Sequence, residues 1–181
     1  MLLLYAAGPS GKTCEPIQGQ TRLMKMVFLF QNELVKQFNL GEVIEPSAFP
    51  QFIAFDYGPY SAQVYGDLEF LVNLQFVRVV ENGQTDVTEE EKREFDYWSA
   101  TGKADSDLNA RNVGRAFELT DRGRRFVEEK LWANFSAAQH QALIEFKQRC
   151  ASTTLRSLLR YVYTRYEKMT TKSLIKNEIL Q

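Results

Sequence analysis

The sequence predicts a mainly helical α+β fold with the element order of a winged helix-turn-helix. Three observations predict it: a long apolar helix over residues 21–38, a second helix after a Gly-Pro turn, and two alternating segments, residues 76–81 and 115–120, that suit an antiparallel strand pair. The expected division is a winged-helix-like domain over residues 1–131, with a long acidic wing insert at 82–113, followed by a C-terminal helical extension over 132–181.

The elements follow in order. "GPSGKTCEPIQGQ" is a loop by its Gly and Pro content. "TRLMKMVFLFQNELVKQF", Thr21 to Phe38, is apolar on most sides with a polar strip through Arg22, Lys25, Asn32 and Lys36, the pattern of a largely buried central helix that Gly41 is expected to stop. Phe52 to Tyr57 alternates and is aromatic, which suits a short strand or extended segment, and Gly58-Pro59 is expected to turn the chain. In "SAQVYGDLEFLVNL" the residues Val64, Tyr65, Leu68, Leu71 and Val72 form an apolar helical face, with Ser61 as N-cap or Pro59 as first helical residue.

"FVRVVE" and "RAFELT" are the two wing strands. Between them, "TEEEKREFDYW" suits a short helix from Thr88 with Glu91 completing a capping box, and "SATGKADSDLNARN" reads as mobile. "TDRGRRFVEEKL" continues as a helix in which Arg124–Glu128 and Arg125–Glu129 are spaced to pair. "SAAQHQALIEFKQRC" opens with a capping box from Ser136 to Gln139, and the next helix carries Leu155, Leu158, Leu159, Val162, Tyr163 and Tyr166 on one stripe. "MTTKSLIKNEILQ" forms a further short turn or a tail.

Composition bounds the function classes. A chain of 181 residues buries about 70% of its unfolded surface without a staple. Its 44% hydrophobic and 13% aromatic content argues against disorder. Cys14 and Cys150 stand alone, without a C-x-x-C or a ligand cluster, and read as reduced thiols of a cytoplasmic chain. "MLLLYAA" lacks a basic leader, and no segment approaches the ~18 apolar residues of a membrane span. The net charge of −1 hides polarity: Gly66 to Asp107 has eleven acids against four bases, whereas Lys147 to Gln181 has eight bases against Glu167 and Glu178.

Three constellations suggest chemistry. "AAGPSGKT" fits a loose P-loop through Ala6, Gly11, Lys12 and Thr13, but a P-loop needs a strand before it and a phosphate-facing helix after it, and Gly19 arrives before any helical periodicity. The single histidine, His140, has no nucleophile signature beside it, and a lone helical His is usually a surface or packing residue. Glu89-Glu90-Glu91 reads as a solvated charge run. The expectation is no catalytic, cofactor-binding or metal-ligating residue.

The piece "LEFLVNLQFVRVVE … RAFELTDRGRRF" resembles the MarR/PadR-type pattern, in which Phe117-Glu118-Leu119-Thr120-Asp121-Arg122-Gly123 matches the phrase "Y/F-x-L-T-x-x-G" closing the second wing strand. "TRLMKMVFLF" before "YGPYS", Thr21 to Phe30 and Tyr57 to Ser61, is similar to the Panacea and YwgA-like group of small prokaryotic and phage-associated proteins. That likeness implies an antitoxin-like role through a protein partner.

In a standard winged-helix reader the helix after the turn enters the major groove and its cations meet phosphates. Here Ser61 to Leu74 carries Asp67 and Glu69 and no Lys or Arg, so the usual docking is disfavoured. The leading expectation is a non-enzymatic regulatory or interaction module, antitoxin-like or defence-associated, that binds a protein. Its candidate partner patch is Tyr57 and Tyr60, which are expected first to seal the core with Phe55 and, where exposed, to meet a partner. The runner-up is a DNA-binding regulator using Arg156, Arg160, Arg165, Lys168 and Lys172, which could instead pair with the acidic insert. A nucleotide-binding enzyme is third, and the apolar C-terminal helices suggest a homodimer.

Overall fold

The chain opens with a single helical turn, α1 (Leu2–Tyr5), and a two-residue strand, β1 (Ile17–Gln18), that leads into the central helix α2, residues 20–37. These are seen in a computed structural model that describes residues 1–81, 89, 92, 93 and 115–181. Apart from Glu89, Lys92 and Arg93, the expected wing insert, with its capping box from Thr88 to Glu91 and the stretch "SATGKADSDLNARN", lies outside the described residues.

Helix α2 is α-helical over Gln20–Leu29, widens into a π turn at Phe30–Leu34, and returns to α geometry at Val35–Gln37. Asn32 accompanies the wide turn by donating Nδ2 to the Phe28 carbonyl at 2.9 Å. The helix is stopped by Asn39 rather than by Gly41. Asn39 takes the left-handed conformation, φ 51°, which Asn tolerates, and Gly41 falls inside the following 3₁₀ turn, Leu40–Glu42. A second 3₁₀ turn, Pro46–Ala48, leads to a hairpin of β2 (Ile53–Phe55) and β3 (Gly58–Tyr60).

The hairpin corrects the expected turn. Phe55 faces Gly58 and Ala54 faces Pro59, so the chain reverses at Asp56-Tyr57 while Gly58 and Pro59 lie in the strand. Gly58 is required there for two reasons: its φ is +83°, and a Cβ would stand 2.8 Å from the ring of the buried Tyr163. Helix α3 (Ala62–Asn73) follows, with Ser61 at the N-cap position. The Ser61 hydroxyl makes no capping bond, however, and is buried without a partner, and Pro59 is too early to be the first helical residue.

The expected strand pair forms. β4 (Val77–Glu81) and β5 (Arg115–Leu119) run antiparallel with Val77 opposite Leu119, and Arg78 meets Glu118 across the ladder at 2.6 Å. β1 adds to the far edge of β5, placing the fully buried Ile17 opposite Phe117 and making the sheet order β1-β5-β4.

The phrase ending at Gly123 has a physical role. Thr120 caps α4 (Asp121–Phe126) by accepting from the Gly123 amide at 3.1 Å, while its hydroxyl donates to the Gln75 carbonyl at 2.6 Å. Gly123 lies so close to Phe76 that a Cβ would sit 2.0 Å from its carbonyl oxygen. After Phe126 the helix widens into a π turn, Val127–Leu131, and a 3₁₀ turn, Trp132–Asn134. That widening alters the spacing behind the expected Arg124–Glu128 and Arg125–Glu129 pairs, neither of which forms.

Helix α5 (Ala137–Ser152) opens with the expected capping box of Ser136 and Gln139, and α6 (Leu155–Arg165) is capped by Thr154. Leu155, Leu158, Leu159, Val162 and Tyr163 are buried as one stripe. A 3₁₀ turn, Glu167–Thr170, and a last helix, α7 (Lys176–Leu180), complete the chain. Residues from Leu3 to Ile179 share one hydrophobic core, in which α2 and α6 contact each other directly. The result is a mainly helical α+β molecule with small antiparallel sheets, and no helix of the described residues is long and apolar enough to cross a membrane.

Candidate interaction surface

Helix α3 has two unlike faces. Val64 and Leu68 are buried against the core, while Phe70 and Leu74, four residues apart on another side, are exposed, Phe70 by 61%. Asp67 is exposed beside them and Glu69 is half-buried. The chain then turns at Gln75, φ 58°, to Phe76, whose ring meets that of the exposed Phe126 at 5.1 Å. Arg122 lies over the Phe76 ring at 4.8 Å in a cation–π contact. An exposed phenylalanine without a covering side chain leaves apolar area in water, and its burial by a partner is favourable by about 25 cal/mol per Å².

The basic C-terminal residues are not equivalent. Arg156 donates Nη2 to the Glu178 carbonyl at 2.9 Å, and Arg160 donates Nε to the Ile179 carbonyl at 3.0 Å, so both hold the end of α7, where carbonyls lack helical donors. Arg165, Lys168 and Lys172 are exposed. Arg93 pairs with Glu178 of the same helix.

Tyr57 and Tyr60 also separate. Tyr57 is only 8% exposed and donates its hydroxyl to the Arg93 carbonyl at 3.0 Å, whereas the half-buried Tyr60 stands between Phe55 and Tyr65 with centroids at 5.0 and 5.5 Å. Beneath the hairpin, the buried Lys25 donates to the carbonyls of Tyr57 at 2.7 Å and Pro59 at 3.0 Å. Only Tyr60 of the expected pair reaches the surface.

The segment that spells a P-loop lies between a helical turn and β1. Glu15 folds back into it, accepting from the Ser10 amide at 3.0 Å and the Ser10 hydroxyl at 2.7 Å, so a carboxylate of the chain takes hydrogen bonds that a phosphate cradle would offer to its ligand. Lys147, fully buried, donates to the carbonyls of Leu4 at 3.0 Å, Ala6 at 2.8 Å and Glu15 at 2.7 Å, and burial pushes its pKa down to about 8. His140 stacks on Trp132 at 4.2 Å and shares a hydrogen bond with the Trp132 carbonyl at 2.8 Å. Burial raises the Cys150 thiol to about 11, which suppresses thiolate chemistry. Glu33 accepts from the hydroxyls of both Tyr161 and Tyr166, and burial followed by the bond to Glu33 raises both phenols above their ordinary value.

No family model, curated protein or solved structure matches this chain.

Among the described residues no cluster of three His, Cys, Asp or Glu is arranged to hold a metal ion. The polar anchors Lys25 and Lys147 escape a charge count, yet each carries a sequence signal: Lys147 falls in line with Leu143 and Cys150, and Lys25 with Thr21 and Leu29, on buried helical stripes. Phe70 and Leu74 likewise stand apart from the Val64–Leu68 stripe at helical spacing.

Proposed function

We propose that this chain is a non-enzymatic interaction module of winged-helix type, antitoxin-like in role, whose protein partner docks on the outward face of α3. The order α2, hairpin, α3, β4, insert and β5 supports the winged-helix reading. In that fold α3 is the helix offered to a duplex, and the observation that carries the proposal is its chemistry: Phe70 and Leu74 exposed beside Asp67, with no Lys or Arg between Ser61 and Leu74. Duplex affinity depends heavily on neutralised phosphates, which this face cannot supply, whereas an exposed aromatic is a common anchor of protein interfaces.

A photo-crosslinking residue at position 70, in cells that express the chain natively, tests the reading. One discrete protein adduct is expected, lost when Leu74→Glu is added. A nucleic-acid adduct at position 70, or no adduct, would overturn it.

A second reading, DNA binding through the C-terminal bases, draws support from the exposure of Arg165, Lys168 and Lys172. It requires a salt-dependent duplex shift that is lost on charge reversal at those three residues and retained in Phe70→Glu.

A further inference from the structure

Against α3 lies a cavity of about 520 Å³ bounded by α1, α2, the loop from Val43 to Pro50, the residues Val64, Asp67, Leu68 and Leu71 of α3, and the turn after α4; Phe70 does not line it. Its volume is that of a small-molecule site, for which about 300–1,000 Å³ is usual. Leu23, Val27 and Phe30 of α2 and Leu68 and Leu71 of α3 make its walls apolar.

Its polar side chains are few. Glu45 and Asp67, both exposed, border it with Asn134, and among the described residues neither Lys nor Arg lines it. Gln31 also lines it, but its Oε1 is itself buried away from the open space. Met1 also lines it, and burial pushes its amino group down to about 6 against the opposing pull of Asp67. An apolar body would satisfy the walls, and a hydrogen-bond donor or cation at its end would face the two rim carboxylates. A carboxylate, sulfonate or phosphate would meet repulsion.

We propose that this cavity is a binding site for a small, largely apolar molecule bearing a hydrogen-bond donor, of the aryl or alkyl amine class. The inference does not rest on the partner surface: neither Phe70 nor Leu74 lines the cavity, and Asp67 alone borders both.

Two fluorescent probes with one aromatic scaffold test it. N-phenyl-1-naphthylamine carries an N–H and no charge, and 1-anilinonaphthalene-8-sulfonate adds an anion. The amine is expected to saturate at one equivalent per chain with a blue-shifted emission, and the sulfonate to bind at least about tenfold more weakly. Charge reversal at the rim, Glu45→Lys with Asp67→Lys, is expected to narrow or invert that preference; both residues are exposed, so the fold tolerates the change. Ala48→Trp at the exposed mouth is expected to weaken the amine by about tenfold or more through occlusion, whereas Phe70→Glu leaves it unchanged. Equal affinity for the two probes, indifference to the charge reversals, amine binding lost with Phe70→Glu, or no saturable binding each overturns the proposal.

Discussion

Lys147 shows what a single buried cation does in this molecule. Its ammonium has three protons and meets three backbone carbonyls, two of them from the end of α1, a helical turn too short to stand alone in water. Burying the charge is unfavourable, as its lowered pKa shows, but the alternative is three buried acceptors facing no donor. Lys147→Met keeps the length of the stem and removes the donors. We expect it to lower unfolding stability by on the order of 2–5 kcal/mol, read as a shift of the urea midpoint at unchanged slope. A variant as stable as the parent would mean that water reaches these carbonyls and that the lysine is dispensable. Lys25 holds the Tyr57 and Pro59 carbonyls in the same manner, so the hairpin is fastened from below by a side chain of the polar strip of α2.

Elements whose information is local are legible in the sequence. The Ser136–Gln139 box, the Leu155–Tyr163 stripe and the alternation that pairs Val77 with Leu119 each depend on residues within a turn or a strand of one another. What escapes is set by partners distant along the chain. β1 has only two residues and exists because Phe117 pairs with Ile17; Gly58 is in a strand because Tyr163 lies against it; the π turns of α2 and after α4 follow packing that no periodicity encodes. In the candidate site the missing cations of α3 can be read directly, but the anchoring of Arg156 and Arg160 to α7 cannot, since it requires knowing where the tail folds. The Thr120–Gly123 cap lies between these cases: the motif is visible, and the structure supplies its reason, a close approach to the Phe76 carbonyl. Gly123→Ala would gain about 1 kcal/mol of helix propensity, yet its methyl would have to displace backbone, at a cost of about 1–3 kcal/mol or more. We expect net destabilisation, with Gly66→Ala as the contrast: that helical glycine faces open space, and its substitution should stabilise by about 0.5–1 kcal/mol. Thermal midpoints moving in opposite directions are the expected result; a stabilising Gly123→Ala would show that α4 does not rest on Phe76.

At the scale of the whole molecule, the helices beyond residue 132 supply hydrogen-bonding groups to the first part of the chain. Lys147 satisfies α1 and the loop after it, Tyr161 and Tyr166 converge on Glu33 of α2, and Gln139 donates to the Phe38 carbonyl at the end of the same helix. The Leu174 amide likewise donates to the Asp56 carbonyl in the hairpin turn, and in return Arg22 of α2 donates to the Cys150 and Thr153 carbonyls at the end of α5. Tyr163, Leu159, Val162 and Ile179 are almost wholly buried in the core that also holds Leu3, Met26 and Phe117. Removing residues 132–181 would therefore expose the apolar face of α2 and leave buried acceptors without donors, both large against a typical net stability of about 5–15 kcal/mol. We expect a fragment of residues 1–131 to keep helical content but to melt without a cooperative transition, and its amide resonances to collapse into a narrow band, while the full chain melts sharply. A sharp transition in the fragment near the midpoint of the full chain would instead make the C-terminal helices a separable extension, and the hydrogen bonds from Lys147, Tyr161 and Tyr166 incidental to folding.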